Sequence, residues 1–138
     1  MVVISDRTRL LVEGAPVANK YKTISNVLHE LEPGMVDRFE ALRAYLLALG
    51  DDVQETNLRF YIAFKRIKNF ACVEFRPSAA KILIYVKVEP TSDVIEPGFT
   101  RDVSKVGHFG TGDLEITLAR PEDLDRAKAL IQQSYDAS

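Results

Sequence analysis

Three apolar segments separated by short turns, all between residues 58 and 88, constrain the fold of this chain more than any other feature. Leu58 to Arg66 is mostly apolar on both faces, Phe70 to Phe75 follows after the turn Ile67-Lys68-Asn69, and Lys81 to Val88 follows a turn around Pro77. In the third segment every second residue is apolar, which is the period of a β-strand. The three segments therefore predict a meander of antiparallel strands.

Helical patterns lie on both sides of this meander. The predicted elements are, in order, a short helix capped by Thr23 or Ser25 and running to about Leu31, a helix from about Met35 to Leu49, the three strands, a long loop from Glu89 to Phe109, a strand from Asp113 to Ala119, and a helix opened by Pro121. This order predicts an α+β fold, with a four-stranded, mostly antiparallel sheet and with the N-terminal helices and the C-terminal helix packed on one face. Residues 1–22 are expected to be an arm or linker, and residues 23–138 a single domain.

Charge is distributed unevenly along the chain. Residues 58–88 contain seven basic residues and one acid, Glu74, for a net charge of +6, whereas residues 1–57 carry −3 and residues 89–138 carry −5. The whole chain carries only −2. A basic centre in an almost neutral protein attracts an anion or a nucleic acid.

The turn between the first two predicted strands is the first candidate site. Its cations alternate with aromatic residues, a combination suited to phosphates and stacked bases. The predicted nucleic-acid-binding residues are Tyr61, Lys65, Arg66, Lys68, Asn69 and Lys87. The alternative is that these charges keep the hairpin soluble and discourage pairing at a sheet edge.

A glycine-rich run is the second candidate site. Its backbone amides could hold an anion, and the candidate residues are Gly107, His108, Gly110, Thr111 and Gly112. The run leads into a strand and not into a helix, so it is not a phosphate-binding loop of the P-loop or dinucleotide type. The alternative is a purely structural turn.

No catalytic constellation accompanies these candidates. The single cysteine, Cys72, lies in a strand-like run and is expected in the core, and the two histidines lack the paired spacing of a metal site. A nuclease arrangement around Glu74 lacks its lysine. We therefore expect no catalytic residue, no metal and no cofactor. The N-terminus does not resemble a signal peptide and no segment can span a membrane, so a cytoplasmic location is expected.

Several ordered motifs resemble one known family. They are Leu49-Gly50-Asp51-Asp52-Val53-Gln54-Glu55, Tyr61-Ile62-Ala63-Phe64-Lys65-Arg66, Lys68-Asn69-Phe70, Arg101-Asp102-Val103, and the run from Gly107 to Glu115. Together they resemble the bacterial and archaeal family catalogued as domain of unknown function 5655, over roughly residues 36–135. Some of its members carry the label "predicted transport protein".

The resemblance implies a small α+β domain often found at the C-terminal end of larger proteins. Its implied companions are ParB-like and HNH nuclease domains of modification-dependent restriction systems, and it supplies no catalytic residues. The resulting hypothesis is a non-catalytic accessory domain that binds nucleic acid through the basic β-hairpin in a DNA-processing or defence context. The alternatives are a protein-interaction or oligomerisation domain and a sensor of a small anion or nucleotide. The expected partners are accordingly DNA, nuclease domains or a second copy of the chain, and not a membrane.

Overall fold

The computed structural model describes residues 22–138, so the predicted arm at residues 1–22 lies outside the described residues except for Lys22. The elements are α1 (Ile24–Glu30), α2 (Pro33–Leu47), β1 (Gln54–Asn57), β2 (Ile62–Lys65), β3 (Asn69–Arg76), a 3₁₀ turn (Pro77–Ala79), β4 (Lys81–Val86), β5 (Thr100–Asp102), β6 (Leu114–Leu118) and α3 (Asp123–Asp136). The predicted α+β class is confirmed. None of the helices in this part of the chain is long and apolar enough to cross a membrane.

All strands form a single antiparallel sheet in the order β1-β2-β3-β4-β6-β5. The sheet therefore has six strands and not the four that were predicted. The two additional strands, β1 and β5, are short, polar and at the edges, and neither shows an apolar alternation. The predicted strand from Leu58 is also shorter, because a hydrogen bond from Leu58 N to Tyr61 O (2.9 Å) closes a turn before β2 begins.

The helices cover one face of this sheet and form the core with it. Ile82, Ile84 and Val86 of β4 point into this core and are fully buried, as their alternation predicts. The ring of Phe75 packs edge-on against Phe39 of α2 at 5.2 Å between centroids. Burial of each such side chain stabilises the fold by about 1.5–3 kcal/mol, and this face therefore dominates its stability.

Three helix boundaries follow local chemistry. Thr23 caps α1 by accepting a hydrogen bond from Asn26 N (3.3 Å). Pro33 occupies the start of α2, two residues before the predicted start, where its missing N–H costs nothing. At the start of α3 the Asp123 carboxylate accepts from Ala119 N and Arg120 N, both at 2.9 Å, and so fixes the link from β6.

A β-bulge sets the geometry of the β2–β3 hairpin. Phe64 pairs with Ala71 and Lys65 with Asn69, so Phe70 has no partner in β2. The ring of Phe70 lies in the helix-side core, 5.2 Å from that of Tyr135 of α3. The bulge therefore attaches the base of the hairpin to the C-terminal helix.

Candidate functional site

Three lysines of the predicted basic site lie at the same end of the sheet. Lys65 ends β2, Lys68 belongs to the following turn, and Lys87 follows β4, whose last residue Val86 pairs with Ala71 near the start of β3. The strands β2 and β4 flank β3, so Lys65 and Lys87 are separated by roughly 10 Å, two strand spacings. We call Lys65, Lys68 and Lys87 the lysine edge.

The lysine edge has no acidic partner within the part of the chain that the structure describes. None of its three ammonium groups forms an ion pair or a side-chain hydrogen bond there, and Lys65 and Lys68 are exposed while Lys87 is half-buried. The backbone of Lys87 is nevertheless fixed, because its N–H donates to the buried hydroxyl of Ser134 on α3 (2.8 Å). The positions are thus held by the fold while the charges face solvent.

Arg66, also a predicted nucleic-acid contact, is engaged within the protein. Its Nε donates to Asp52 (3.2 Å) and its Nη1 to the backbone oxygen of Tyr135 (3.4 Å), and its guanidinium lies 4.6 Å from the centre of the Tyr135 ring. The hydroxyl of Tyr135 donates to the other oxygen of Asp52 (3.0 Å). This bond, followed by the bonds from Arg66, outweighs partial desolvation and lowers the pKa of Asp52. Arg66 therefore fastens the hairpin to the end of α3.

The glycine-rich run, residues 107–112, folds over the sheet face opposite the helices. We call this run the glycine loop, and we call that face of the sheet the outer face. The imidazole of His108 stacks on Tyr85 of β4, with 4.0 Å between ring centroids and 7° between planes. Its Nδ1 lies 2.9 Å from Phe109 O, and its Nε2 lies 2.9 Å from Gly112 O. A neutral ring carries one N–H, so only the doubly protonated ring can donate to both oxygens.

Gly110 presses the glycine loop directly onto Cys72. A Cβ at this position would lie 2.7 Å from both Cβ and Sγ of Cys72 and 3.1 Å from Tyr61, and the backbone φ is +79°. The amide of Thr111 donates to the Cys72 sulfur (3.5 Å). Burial raises the pKa of Cys72. The cysteine is therefore a covered core residue of the outer face, as predicted.

Two predicted sites meet at this point of the outer face. Tyr61, assigned from the sequence to the basic site, contacts Gly110, and its ring lies parallel to that of Phe109 at 6.5 Å between centroids. Burial raises the pKa of Cys72, and Lys87 is near enough for its charge to oppose a small part of that rise. Asn69, at the start of β3, pairs with Lys65 across the hairpin. The anion-binding role of the glycine loop stays a prediction, and its Phe109 and Thr111 amides already donate to protein groups.

Sequence reasoning missed a polar network around a buried acid on the outer face. Arg101 of β5 donates from Nε and Nη2 to the two carboxylate oxygens of Glu115 (3.1 and 3.0 Å), and the Tyr85 hydroxyl donates to the same carboxylate (3.0 Å). Burial of Glu115 favours its neutral form, but the bonds from Arg101 and Tyr85 outweigh this and lower its pKa. Burial, followed by the charges of Glu74 and Glu115, raises the pKa of Tyr85. The only sequence signal was the alternation of Glu115 with apolar residues in β6.

Glu74 is the second buried acid of the outer face. It is 3% exposed, pairs with Arg76 (2.9 Å) and accepts a hydrogen bond from Phe109 N (3.2 Å). With Phe60 and Phe109 it borders a groove of about 420 Å³ beside α1. Both carboxylate oxygens are already engaged, and residues 22–138 contain no cluster of three side chains that could hold a metal ion. Glu74 thus closes the glycine loop onto β3.

Comparison with known proteins gives the family. A family described as "Domain of unknown function (DUF5655)" matches residues 21–138, and the chain belongs to it. The predicted resemblance is confirmed at this level. An uncharacterized protein of Haemophilus influenzae is 31% identical over 97 residues, which cover 70% of this chain and 31% of that relative. No solved structure matches the chain.

Proposed function

We propose that this DUF5655 domain is a non-catalytic nucleic-acid-binding module that contacts phosphates through the lysine edge. The observation that carries the proposal is the unpaired state of Lys65, Lys68 and Lys87 at one end of the sheet. Most other cations of the described residues are paired with acids or placed over aromatic rings. Unpaired lysines held about 10 Å apart on a rigid sheet repel one another, and a phosphate backbone relieves that repulsion.

Rigidity of the site supports this role. Ser134 of α3 links the residue that follows β4 to the strand between β2 and β4, because its hydroxyl accepts from Lys87 N and donates to Phe70 O of β3 (2.6 Å). Arg66 holds the intervening turn against α3. A binding surface whose backbone is already ordered loses little conformational entropy on association.

The accessory role rests on the companions implied by the sequence resemblance. In the Haemophilus relative the matched region accounts for only 31% of the length, so the domain is accompanied there by further sequence. We propose that the module delivers a neighbouring DNA-processing domain to its substrate. Its own contribution is affinity and position, and no residue of the site is assigned a chemical step.

A salt series tests the proposal most directly. Labelled duplex and single-stranded DNA are titrated with the domain, and binding is followed by fluorescence anisotropy. Three phosphate contacts give a log–log salt slope of about −2.7, which is an affinity loss of about 40-fold between 50 and 200 mM salt. Absence of binding at low salt by the folded domain would refute the proposal.

Matched lysine pairs locate the site. Lys65→Gln/Lys68→Gln is expected to reduce the magnitude of the salt slope by about 1.8, since each lost phosphate contact removes about 0.9. The control is Lys81→Gln/Lys105→Gln, which removes two exposed lysines that also form no ion pair in residues 22–138. Lys81 lies at the opposite end of β4 from Lys87, roughly 20 Å away. Equal effects of the two pairs would show that only net charge matters and would contradict the assigned site.

The edge strand β1 favours a second candidate function, protein interaction or self-association. β1 pairs only with β2, and three of its four side chains are exposed, so its outer backbone groups can accept another strand. Association of this kind depends on concentration and persists at high salt. Sedimentation at low and high salt distinguishes it from phosphate binding.

A further inference from the structure

Ile67 is an apolar side chain displayed in solvent at the tip of the β2–β3 hairpin. It is 78% exposed, whereas the next most exposed large apolar residue of the described chain, Val106, is 45% exposed. A single exposed aliphatic residue is ordinary on a protein surface. Its placement and its neighbours make this one unusual.

The tip is held rigidly in place. The N–H of Arg66 donates to Lys68 O (3.0 Å), and this bond across the turn leaves Ile67 at its apex. The Arg66 side chain fastens the same turn to Asp52 and to the end of α3. The turn that carries Ile67 is therefore tied to the domain, and its exposed side chain is not packed onto the core.

Turn chemistry does not explain an isoleucine here. Tight turns favour Gly, Asn, Asp and Ser, which adopt turn conformations without burying apolar surface. A β-branched residue contributes nothing to such a turn and leaves its hydrocarbon in water. A residue that breaks a local rule without a compensating contact is a place to look for a functional role.

We infer that Ile67 is a wedge that inserts between bases of the nucleic acid whose phosphates are held by the lysine edge. The inference rests on the proposed function. Lys65 and Lys68, which form no ion pair within residues 22–138, lie on either side of the isoleucine, so the tip carries the charge complementary to a phosphate backbone. Minor-groove-binding proteins that combine cations with an inserted aliphatic side chain unstack a base step and bend the duplex. The substrate class is accordingly DNA that is easily unstacked, such as flexible, mismatched or single-stranded segments.

The experiment compares Ile67→Ser with Ile67→Leu and with Val106→Ser, a matched exposed aliphatic residue on another loop. Duplexes with and without a central mismatch carry a fluorescent adenine analogue that brightens when it is unstacked. Ile67→Ser is expected to weaken mismatch binding roughly tenfold, because a buried aliphatic contact is lost. The fluorescence rise is expected to disappear while the salt slope stays unchanged, and Ile67→Leu and Val106→Ser are expected to match the unaltered protein.

The outcomes separate this inference from the proposed function. If the unaltered protein binds DNA and Ile67→Ser leaves affinity and fluorescence unchanged, the wedge is wrong and phosphate binding stands. If the unaltered protein does not bind DNA at all, both ideas fall together. If Ile67→Ser instead abolishes salt-resistant self-association, the tip contacts protein and the wedge is again refuted.

Discussion

Gly110→Ala tests the packing of the glycine loop against the outer face. An alanine at φ +79° costs about 1–2 kcal/mol, since its Cβ crowds the following carbonyl in the left-handed region. The same Cβ would lie 2.7 Å from Cys72, whose strand is paired on both sides and cannot retreat. Overpacking of this kind costs about 1–3 kcal/mol. The two effects together are expected to lower the free energy of unfolding by about 2–5 kcal/mol.

Two independent assays test the expected effect of Gly110→Ala. Urea unfolding gives the change in stability, and the rate at which a soluble aromatic disulfide modifies Cys72 under native conditions reports whether the loop has lifted. The Cys72 thiol is buried with a raised pKa, so its modification is expected to be slow in the unaltered protein and faster in Gly110→Ala.

Gly107→Ala is the control within the same loop. No atom lies within 4 Å of a Cβ at Gly107, and its backbone is outside the left-handed region, so the change is expected to be neutral or slightly stabilising. If Gly110→Ala matches Gly107→Ala in both stability and thiol reactivity, the glycine loop is not packed on Cys72 and the reasoning fails.

Three further predictions concern groups that hold the site. Ser134→Ala is expected to cost about 2–4 kcal/mol in urea unfolding, since it leaves a buried donor and a buried acceptor unsatisfied, whereas Ser78→Ala on the exposed 3₁₀ turn should change little. Glu115→Gln is expected to flatten the loss of stability in acid: the native pKa of Glu115 is lowered by Arg101, so its contribution is complete above the unfolded-state pKa of about 4.3 and is lost as pH falls through the native value. An unchanged pH profile would contradict that coupling. His108→Phe keeps the ring stack but removes the imidazole nitrogens that face the carbonyls of Phe109 and Gly112, and hydrogen exchange should show faster exchange confined to residues 107–112.

Periodicity predicted the elements that bury apolar stripes. The strands around Phe70 to Phe75, Lys81 to Val88 and Asp113 to Ala119 and all three helices are present, with ends shifted by a few residues. β1 and β5 could not be predicted, because the segments Gln54–Asn57 and Thr100–Asp102 are polar and very short. These two segments are strands because the adjacent strands, β2 and β6, have backbone groups on that side with which they pair.

The positions of some candidate site residues could be predicted because periodicity located the strands that carry them. Lys65, Lys68 and Lys87 follow from strand ends and a turn that the pattern located. In the sequence, Arg66 is one more basic residue of the same hairpin. Its partner Tyr135 is 69 residues away, and a contact of that separation depends on where α3 packs. Conversely, Glu115 looks like a solvent-facing residue of an alternating strand, and it is buried because Arg101 lies beside it on β5.

Three acidic residues that are already engaged help to explain why the charge of the lysine edge persists. Glu74 is engaged by Arg76 and a loop amide, Glu115 by Arg101 and Tyr85, and Asp52 by Arg66 and Tyr135. Each of these carboxylates already has a cation with fixed geometry, so pairing with a lysine of the edge would break an existing bond. A count of charges along the chain assumes that any acid can neutralise any base. In the fold, each of these three acids is held beside a particular arginine. The unpaired state of the three lysines is therefore consistent with how the arginines are used, and the proposed phosphate contact would employ these lysines.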